Sequence, residues 1–517
     1  MGERRQPAGG GVTLAGQVAA AAWRENLAGY RDGPVPEGAN ESAFNQLAWA
    51  KAPEGDAVAA LAAILGEPPP AHLAAELDSA RTGLDVALPR AAARSRHLAG
   101  LAHRAGTDTL AALAARCTKD ADATARLLET LATEGHQLHP CARTRLGWSR
   151  TDLERYDLEA PRPVPIRLVA DPGRVLERSG TDFRDHPMLA GLDLPDPVLP
   201  VHPWQLEHRV LPGHRDLFDA GRLRVLEATV AAWPTAAVRT LAGHRAPGYL
   251  KLALGIQITS TRRDISPATA ALGPALSAAV RRLDDGSGHR IVADVAGAWL
   301  PGSRDLTALA RESLAAHAPP GTVCVPATAL AATSPVTGMS LAAEYAHWSG
   351  DPAAWLRDYA KAFTGPVLAK ARMGVGLEAH LQNSLVAMRG HRPVAALTRD
   401  LGGARIHTPS VPFALTLPPG SPVDAPSMDD VRAKVAYTLF QNHFAALAAA
   451  LERDLGLDAA AFWSDLADHI AGLDLPAADR DAYLAPKQPT KALLTMRLRP
   501  GRDIEALVDN PLAAGRR

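Results

Sequence analysis

The spacing of hydrophobic residues predicts helices in the first quarter of this chain. From Val12 to about Gly135, stretches such as GQVAAAAWRENLAGY, PAHLAAELDSA and DATARLLETLATEG carry apolar residues three and four positions apart, which is the period of an amphipathic helix. Gly135 is placed to end the last of these helices. We therefore expect a helical lobe over residues 13–150, preceded by a disordered segment over residues 1–12.

The pattern then changes to that of β-strands. From about Arg162, short apolar runs are interrupted by Pro and Gly, and such runs predict strands bounded by turns. They are PVPIRLVAD, RLRVLEATVAAW, GYLKLALGIQITST, HRIVADVAGAW and GTVCVPATAL. We expect residues 151–340 to form a β-rich lobe around a largely antiparallel sheet.

Helical spacing returns over residues 341–517, in DPAAWLRDYAKAFTGPVLAKARM, DDVRAKVAYTLFQNHFAALAAALERDLG and AAFWSDLADHIAGL. Between the first two of these stretches lie LEAHLQNSLV and PVAALTRDLGGARI, which predict a β-hairpin joined at RGHRP. The predicted fold class is α+β, with three lobes that are helical, β-rich and mixed.

Composition narrows the class of protein. A chain of 517 residues is too long for one ordinary core. Lys+Arg and Asp+Glu both total 55, so there is no global positive field to hold nucleic acid or an anionic membrane. No window approaches the ~18 apolar residues of a membrane span, and the N-terminus lacks an apolar signal core. Three widely spaced cysteines suit a reducing compartment, so we expect a cytoplasmic protein.

The stretch LEAHLQNSLV places four polar side chains among apolar ones. If it is extended, Glu378, His380 and Gln382 share one face and Asn383 ends the row. The row is either the polar face of a half-exposed strand or part of a site. Asp400 lies across the predicted hairpin from Asn383, so the hairpin can bring Glu378, Asn383 and Asp400 onto one Mg²⁺, which prefers oxygen ligands and shares them with phosphate.

Gly402 and Gly403 follow Asp400 and allow the backbone to approach this site closely. An Asn followed by an Asp-x-Gly is also similar to the metal-binding pair of protein-kinase-like phosphotransferases. A small-molecule kinase is therefore an alternative interpretation, although the full HRDLxxxN motif of the kinase catalytic loop is missing from the sequence.

Two basic stretches are candidate anion sites. GHQLHPCARTRLGWS holds His136, His139, Arg143 and Arg145 within ten residues. If its end is extended, the two arginines point the same way, which suits a polycarboxylate or a phosphate; the alternative is a solvated basic loop. TKALLTMRLRP carries Lys491 and Arg497, which either reach a phosphate or lie on a surface strand.

A third candidate is KLALGIQITSTRRDIS, where an alternating strand ends in hydroxyls and guanidiniums. Ser260, Thr261, Arg262 and Arg263 suit a triphosphate, because short donors lie close and charge lies behind them. The stretch is not a P-loop, since it lacks the glycines and the GK[ST]; the alternative is a polar turn. LPVHPWQ is interpreted as a structural turn with a buried indole.

These stretches, in this order, resemble one family over about Gly135 to Leu512. The sequence resembles the NRPS-independent siderophore synthetases, the aerobactin-synthetase (IucA/IucC-like) family. The motifs that carry the resemblance are GHQLHPCARTRLG, VHPWQ, ITSTRRD, EAHLQN with the downstream Arg399 and Asp400, and KALLTMRL.

The resemblance implies a cupped hand of thumb, fingers and palm, and ATP-dependent condensation. A carboxylate is activated as an acyl-adenylate and captured by an amine, a hydroxylamine-bearing polyamine or an alcohol, with small molecules as partners and ATP and Mg²⁺ as cofactors. The implied catalytic residues are His380, Arg263 and Lys491. The implied nucleotide ligands are Ser260, Thr261, Arg262, Arg263, His380, Gln382 and Asp400, the metal ligands are Glu378, Asn383 and Asp400, and the substrate ligands are His136, His139, Arg143 and Arg145. The family also suggests a homodimer.

Two positions depart from the family pattern. Arg143 stands where the family usually has Lys, which keeps the charge and changes the donor geometry. Asp264 stands where the family usually has Thr, and its carboxylate would either repel phosphate or orient Arg262 or Arg263. Asp264 is also the one sequence feature that supports a third interpretation, a binding protein that keeps the pocket without turnover.

Overall fold

The computed structural model describes residues 13–283, 286, 288–418 and 420–516, and of residues 514–516 it describes the backbone alone. The predicted disordered segment 1–12 lies outside the described residues. The fold class is α+β, as the sequence predicted: a large antiparallel sheet and a smaller mixed sheet are packed among helices. In the part of the chain that is described, none of the helices has the length and apolar character needed to cross a membrane.

The helices follow the predicted periodic stretches, and polar side chains cap many of them. Thr13, Asp56 and Asp351, for example, accept hydrogen bonds from the first turn of the helix that follows. The α-helices are α1 (Leu14–Glu25), α2 (Ala57–Leu65), α3 (Ala71–Arg104), α4 (Leu110–Ala115), α5 (Ala121–Glu129), α6 (Arg150–Tyr156), α7 (Pro203–Gln205), α8 (Leu211–Gly213), α9 (Arg215–Asp219), α10 (Pro267–Arg281), α11 (Ala327–Ala331), α12 (Leu341–Ser349), α13 (Pro352–Arg372), α14 (Met428–Val435), α15 (Ala445–Leu455), α16 (Ala459–Gly472), α17 (Ala477–Tyr483) and α18 (Leu493–Leu498).

Two of these helix pairs are continuous through π-helical turns. Leu206–Val210 joins α7 to α8, and Ala436–Phe444 joins α14 to α15. Short 3₁₀ turns occupy Leu27–Asp32, Ala43–Asn45, Phe183–Asp185, Pro187–Leu189, Leu314–Ala316, Leu401–Gly403 and Pro511–Arg516.

The strands are β1 (Ala39–Ser42), β2 (Gln46–Trp49), β3 (Arg145–Leu146), β4 (Val164–Ala170), β5 (Glu177–Gly180), β6 (Val198–Val201), β7 (Arg224–Pro234), β8 (Thr240–Gly243), β9 (Tyr249–Leu252), β10 (Leu254–Ile258), β11 (Thr261–Arg263), β12 (Arg290–Val292), β13 (Asp294–Trp299), β14 (Thr307–Arg311), β15 (Val323–Pro326), β16 (Val375–Gly376), β17 (Ser384–Arg389), β18 (Arg392–Arg399), β19 (Arg405–Ile406), β20 (Lys487–Lys491) and β21 (Glu505–Asp509). Eight of them form one antiparallel sheet in the order β5-β13-β14-β9-β8-β7-β4-β6. The predicted antiparallel sheet is therefore confirmed.

A second sheet has the order β12-β18-β17-β15 and contains the predicted hairpin. β17 and β18 are antiparallel and turn at Gly390–His391, and the Arg399 amide donates to the Asn383 carbonyl just beyond the last paired strand residues. The expectation that LEAHLQNSLV is extended throughout is wrong. Residues 377–383 form a loop with a bend at His380, and β17 begins only at Ser384.

Other local features were not predicted. β1 and β2 form a small hairpin inside the region predicted to be helical. The stretch GTVCVPATAL is a strand only as far as Pro326 and then continues as α11. β12 and β15 pair with β18 and β17, so the second sheet crosses the boundary proposed at residue 340. The lobe boundaries themselves stay a prediction.

Three packing arrangements bring the site together. α5 lies between the two sheets, where Ala121 and Ala125 share a core with Tyr249 of β9 and Leu385 of β17. The helices α1, α2 and α3 pack with Leu494 of α18, so the two ends of the chain meet. The long helix α14–α15 lies in the largest core, against the 377–383 loop. Each arrangement contributes side chains to the site described next.

Candidate active site

The loop 377–383 is held in place by the continuous helix α14–α15. The helix residues that bind the loop all lie in the π-helical turn Ala436–Phe444. Such π-helical turns are frequent at functional sites. The hydrogen bonds are Thr438 Oγ1 to Leu377 O (3.3 Å), His443 Nδ1 to Ala379 O (3.0 Å) and the Leu381 amide to Asn442 Oδ1 (3.3 Å). The loop therefore has a defined conformation without being a strand.

Glu378 is an ionised carboxylate with its own counter-ion. Lys434 Nζ donates to Glu378 Oε1 at 3.0 Å. Burial raises the pKa of Glu378, but Lys434 and His380 outweigh it and hold the pKa at about 2. Gly403 lies directly against this carboxylate, because a Cβ there would come within 2.0 Å of Glu378 Oε2. The expected close backbone approach is thus found at Gly403.

His380 is a neutral imidazole with a defined tautomer. Its Nδ1 accepts from the backbone amides of Gln382 and Asn383, at 3.2 and 3.4 Å. The proton therefore sits on Nε2, which lies 3.8 Å from Glu378 Oε2. Burial lowers the pKa of His380, although Glu378 opposes the effect. At neutral pH this side chain is a hydrogen-bond donor through Nε2, and its Nδ1 is already occupied.

Asp400 follows β18 in a left-handed backbone conformation, with φ of 63°. Its Oδ1 accepts from Lys251 Nζ at 2.6 Å and from the Gly402 amide at 3.2 Å, and its Oδ2 lies 3.5 Å from Arg311 Nη2. Burial raises the pKa of Asp400, but Lys251 and Arg311 hold it well below its usual value. Arg311 is shared with Asp294, at 2.7 Å.

The oxygen atoms of this region suit a divalent cation that is shared with phosphate. Glu378 and Asp400 both touch the Gly402–Gly403 turn, and Asn383 Nδ2 lies 3.5 Å from Glu378 Oε2. Oε2 of Glu378 has no closer polar neighbour among the contacts of the described residues. Within those residues no group of three His, Cys, Asp or Glu side chains could hold a metal alone. Two carboxylates and an amide fit Mg²⁺ with phosphate oxygens completing the shell.

The hairpin β10–β11 supplies positive charge. Arg263 Nη2 donates to Thr259 Oγ1 at 2.9 Å, and Arg239 Nη1 donates to the carbonyls of Arg263 and Asp264 at 2.9 and 2.8 Å. Burial, and then the like charges of Arg239 and Arg145, lower the pKa of Arg263 to about 9. No carboxylate of the described chain lies within ion-pair distance of Arg239 or Arg263. Two such guanidiniums suit an anionic ligand.

The other hairpin residues point elsewhere. Ser260 is half-buried at the tip, and its carbonyl accepts from Arg497 Nη1 at 3.4 Å. Thr261 and Arg262 are exposed, and Arg262 pairs with Asp264 at 3.4 Å. Asp264 therefore holds Arg262 on the outer side of the hairpin. Of the two effects expected for Asp264, repulsion of phosphate or orientation of an arginine, the structure contains the orientation of Arg262.

The two histidines of GHQLHP lie with their ring centres 6.4 Å apart, and His136 is within electrostatic range of His380. Burial first, and then the charges of His380, Arg24 and Arg263, lower the pKa of His136 to about 3. His136 Nδ1 accepts from the Leu138 amide at 3.2 Å, so its proton is also on Nε2. His139 is buried, and its Nε2 has no hydrogen-bond partner in the described structure.

Arg143 and Arg145 are buried and paired with carboxylates of the chain itself. Arg143 Nη2 lies 2.8 Å from Glu159 and 3.2 Å from Asp157, and Arg145 Nε lies 3.0 Å from Asp157. Their charges are balanced by the segment that follows α6. Their predicted role in substrate binding stays a prediction, but this pairing favours a structural role.

The C-terminal cations are also engaged. Lys491 is about one-third exposed on β20 and lies 3.5 Å from Asp503. Arg497 is bonded to Glu76 of α3, with Nε at 2.8 Å. Through Arg497, the C-terminal helix α18 touches both α3 and the tip of the β10–β11 hairpin.

Sequence reasoning missed several cations that complete the site: Lys251, Arg311, Lys434, Arg239 and Arg24. One signal was available for Lys251, which is a lysine at a fully apolar position of the YLKL strand. The others carry no local signal, because their partners lie far away in the sequence.

Known protein families and proteins are similar to this chain in sequence. Residues 124–332 match the model of the IucA / IucC family, and residues 353–506 match that of the ferric iron reductase FhuF-like transporter. Staphyloferrin A synthase of Staphylococcus aureus is 24% identical over 430 residues, which cover 74% of this chain and 71% of that protein. Residues 124–332 of this chain are therefore similar to the IucA / IucC family. The predicted resemblance to NRPS-independent siderophore synthetases is confirmed.

Solved structures share the fold of this chain. The petrobactin biosynthesis protein AsbB of Bacillus anthracis superposes with a TM-score of 0.77 at 18% identity, covering 97% of this chain and 96% of that one. The ATP-bound aerobactin synthetase IucA of Klebsiella pneumoniae superposes with a TM-score of 0.69 at 19% identity, covering 97% of this chain and all of that one. At these identities the likeness concerns the fold.

Proposed function

We propose that this protein is an ATP-dependent ligase of siderophore-type biosynthesis. It activates a carboxylate as an acyl-adenylate, releases pyrophosphate, and transfers the acyl group to an amine, an N-hydroxylated polyamine or an alcohol with release of AMP. The acid is citrate, a citrate derivative or a dicarboxylate half-amide. The observation that carries the proposal is the charge pattern of the site, in which unpaired Arg239 and Arg263 accompany the oxygen ligands Glu378, Asn383 and Asp400.

The positive and negative charges of this site would both be balanced if a polyphosphate and a divalent cation bound together. Arg239 and Arg263 would bind phosphate oxygens, and the Thr259 hydroxyl orients Arg263. Glu378, Asn383 and Asp400 would hold Mg²⁺, which supplies charge neutralisation between the nucleotide and the incoming carboxylate when it is bound. Lys434 and Lys251 hold the two carboxylates in their ionised forms.

The first step joins two anions, so its barrier is mainly electrostatic. A carboxylate oxygen forms a bond to the α-phosphorus, and the bond to the pyrophosphate oxygen breaks. His380 Nε2–H donates a hydrogen bond to the phosphate, and because Nδ1 is occupied the side chain does not act as a base. In the second step the nucleophile forms a bond to the acyl carbon and loses its proton. The bond between the acyl carbon and the phosphate oxygen breaks, and AMP leaves with that electron pair.

A small-molecule kinase remains the second candidate because Asn383 and Asp400 flank the ends of one hairpin, with the Asn383 carbonyl bonded to the Arg399 amide. It predicts ADP in place of AMP and pyrophosphate. We further propose that the protein works in the cytoplasm, as a homodimer.

The test uses the purified full chain with Mg-ATP, hydroxylamine and a panel of acids: citrate, 2-oxoglutarate, succinate and N-hydroxy-N-succinyl-diamines. AMP, pyrophosphate and hydroxamate that depend on one acid are expected. Glu378→Gln should lower this turnover at least 100-fold, and the exposed Arg155→Ala on α6 should leave it unchanged. ADP as the acid-dependent product would support the kinase instead. Absence of any turnover with retained ATP binding would favour the non-catalytic interpretation.

A further inference from the structure

A further arginine, in addition to Arg239 and Arg263, lies beside the site and belongs to the N-terminal helix α1. Arg24 of α1 is 3% exposed, and its Nη2 donates to Gln441 Oε1 at 2.8 Å. Its guanidinium lies 5.7 Å from the centre of the Tyr437 ring. Gln441 is itself fixed, because its Nε2 donates to the Pro489 carbonyl at 2.9 Å. Arg24 is therefore held rigidly, although none of these partners carries a negative charge.

The charge of Arg24 has no counter-ion in the described chain. No carboxylate there lies within ion-pair distance of its guanidinium, and Nε is buried without a hydrogen-bond partner. The adjacent Glu25 is used elsewhere, since it accepts from the backbone amides of Leu494 and Thr495 at the start of α18, at 2.7 and 2.8 Å. A buried cation without a partner is expensive to maintain, so a ligand anion is the expected complement.

The helix α14–α15 connects Arg24 to the reaction site. Lys434, which holds Glu378, precedes Tyr437 and Gln441 by three and seven residues, so these side chains share one face of the helix. His136 lies within the electrostatic range of both Arg24 and Arg263, whose charges lower its pKa. Arg24 lies on α1, whereas Arg263 lies on the hairpin β10–β11, and Arg239 lies just before β8 and donates to that hairpin.

We propose that Arg24 binds a carboxylate of the acyl substrate that does not react. It thereby selects acids with two or more carboxylates, which among the acids proposed above favours citrate and its derivatives over a dicarboxylate half-amide. The inference rests on the proposed function. Among the described residues, Arg239 and Arg263 carry the unpaired charge suited to the nucleotide, and Arg24 supplies a further unpaired cation on a different element. A monocarboxylate would fill the reacting position and leave Arg24 without its anion.

The binding test measures citrate by calorimetry in the presence of Mg²⁺ and a non-hydrolysable ATP analogue. Succinate and acetate serve as the di- and monocarboxylate probes. Arg24→Gln keeps a donor for Gln441 and removes the charge, and it should weaken citrate binding about 100-fold. Arg24→Lys keeps the charge without the fork geometry and should weaken it about 10-fold. The ATP analogue should bind all variants with equal affinity.

Arg155→Ala is the matched control, because Arg155 also packs on a tyrosine ring, 5.1 Å from the centre of Tyr156, at an exposed position on α6. Steady-state kinetics provides the second readout: KM for the polycarboxylate should rise in Arg24→Gln while KM for ATP is unchanged. Unchanged citrate affinity in Arg24→Gln would overturn the inference, as would a wild-type protein that binds none of the polycarboxylates. Failure of the proposed function is a separate result, namely citrate binding through Arg24 without acid-dependent AMP release.

Discussion

Glu129 at the end of α5 forms a buried ion pair with Arg399, which lies 270 positions along the chain. Arg399 also donates to the Gln382 carbonyl from Nε and Nη2, at 3.1 and 2.9 Å. A helix of the N-terminal region therefore fixes the turn that carries His380 and Asn383. The pair is a positioning device, since neither side chain needs to touch a ligand to act.

Glu129→Gln should leave the Arg399 charge buried and unpaired. We expect the free energy of unfolding to fall by about 3–5 kcal/mol and KM for ATP to rise, because the turn loses its support. Urea denaturation and nucleotide titration measure the two effects. The double variant Glu129→Gln/Arg399→Gln should recover part of the stability without recovering ATP affinity. If the double variant recovered both, Arg399 would be structural only.

Gly403→Ala tests the close approach to Glu378. The new methyl carbon would lie 2.0 Å from Glu378 Oε2, so the carboxylate must move and Mg-ATP turnover should fall at least 10-fold. Gly365→Ala is the matched control, because on α13 an added Cβ meets no described atom within 4 Å. That change should raise the free energy of unfolding by about 0.5–1 kcal/mol through helix propensity, with turnover unchanged. Equal turnover in both variants would contradict the arrangement.

The stability of the protein should depend on the ionisation of Glu378 in acid. Its folded pKa of about 2 lies below the ordinary value of 4.5, so its stabilising contribution is present above pH 4.5 and is lost as the pH falls towards 2. The difference corresponds to about 3 kcal/mol. Urea midpoints measured between pH 5 and pH 3 should fall more steeply for the wild type than for Glu378→Gln. Parallel pH profiles would show that Lys434 does not stabilise the carboxylate.

Arg143→Ala distinguishes a structural role from substrate binding. It would leave Asp157 and Glu159 buried with one fewer cation, so we expect about 3–5 kcal/mol of lost stability and an unchanged KM for the acid in the folded fraction. Arg262, an exposed side chain that pairs with Asp264, gives a control, since Arg262→Ala should change the free energy of unfolding by less than about 1 kcal/mol. A raised KM at full stability would instead establish the substrate-binding role predicted from the sequence.

Local patterns in the sequence were enough to predict much of this fold. The stretches with apolar residues at helical spacing are α13 and α14–α15 in the structure. The hairpin β17–β18 lies where the strand-like runs and the turn residues predicted it. The loop 377–383 was predicted wrongly because its side chains alternate as in a strand, whereas its backbone bonds to the helix α14–α15. Tertiary contact there outweighed the local period.

The sequence by itself determined the order of the motifs, the family resemblance, and which residue types are available for chemistry. Tertiary structure alone decided which charges are balanced. Arg143 and Arg145 are neutralised by Asp157 and Glu159, while Arg24 is bonded to Gln441, 417 positions away, and has no carboxylate partner among the described residues. The physical reason is that Coulomb interactions and desolvation depend on distance and burial in space, and neither quantity can be read from separation along the chain.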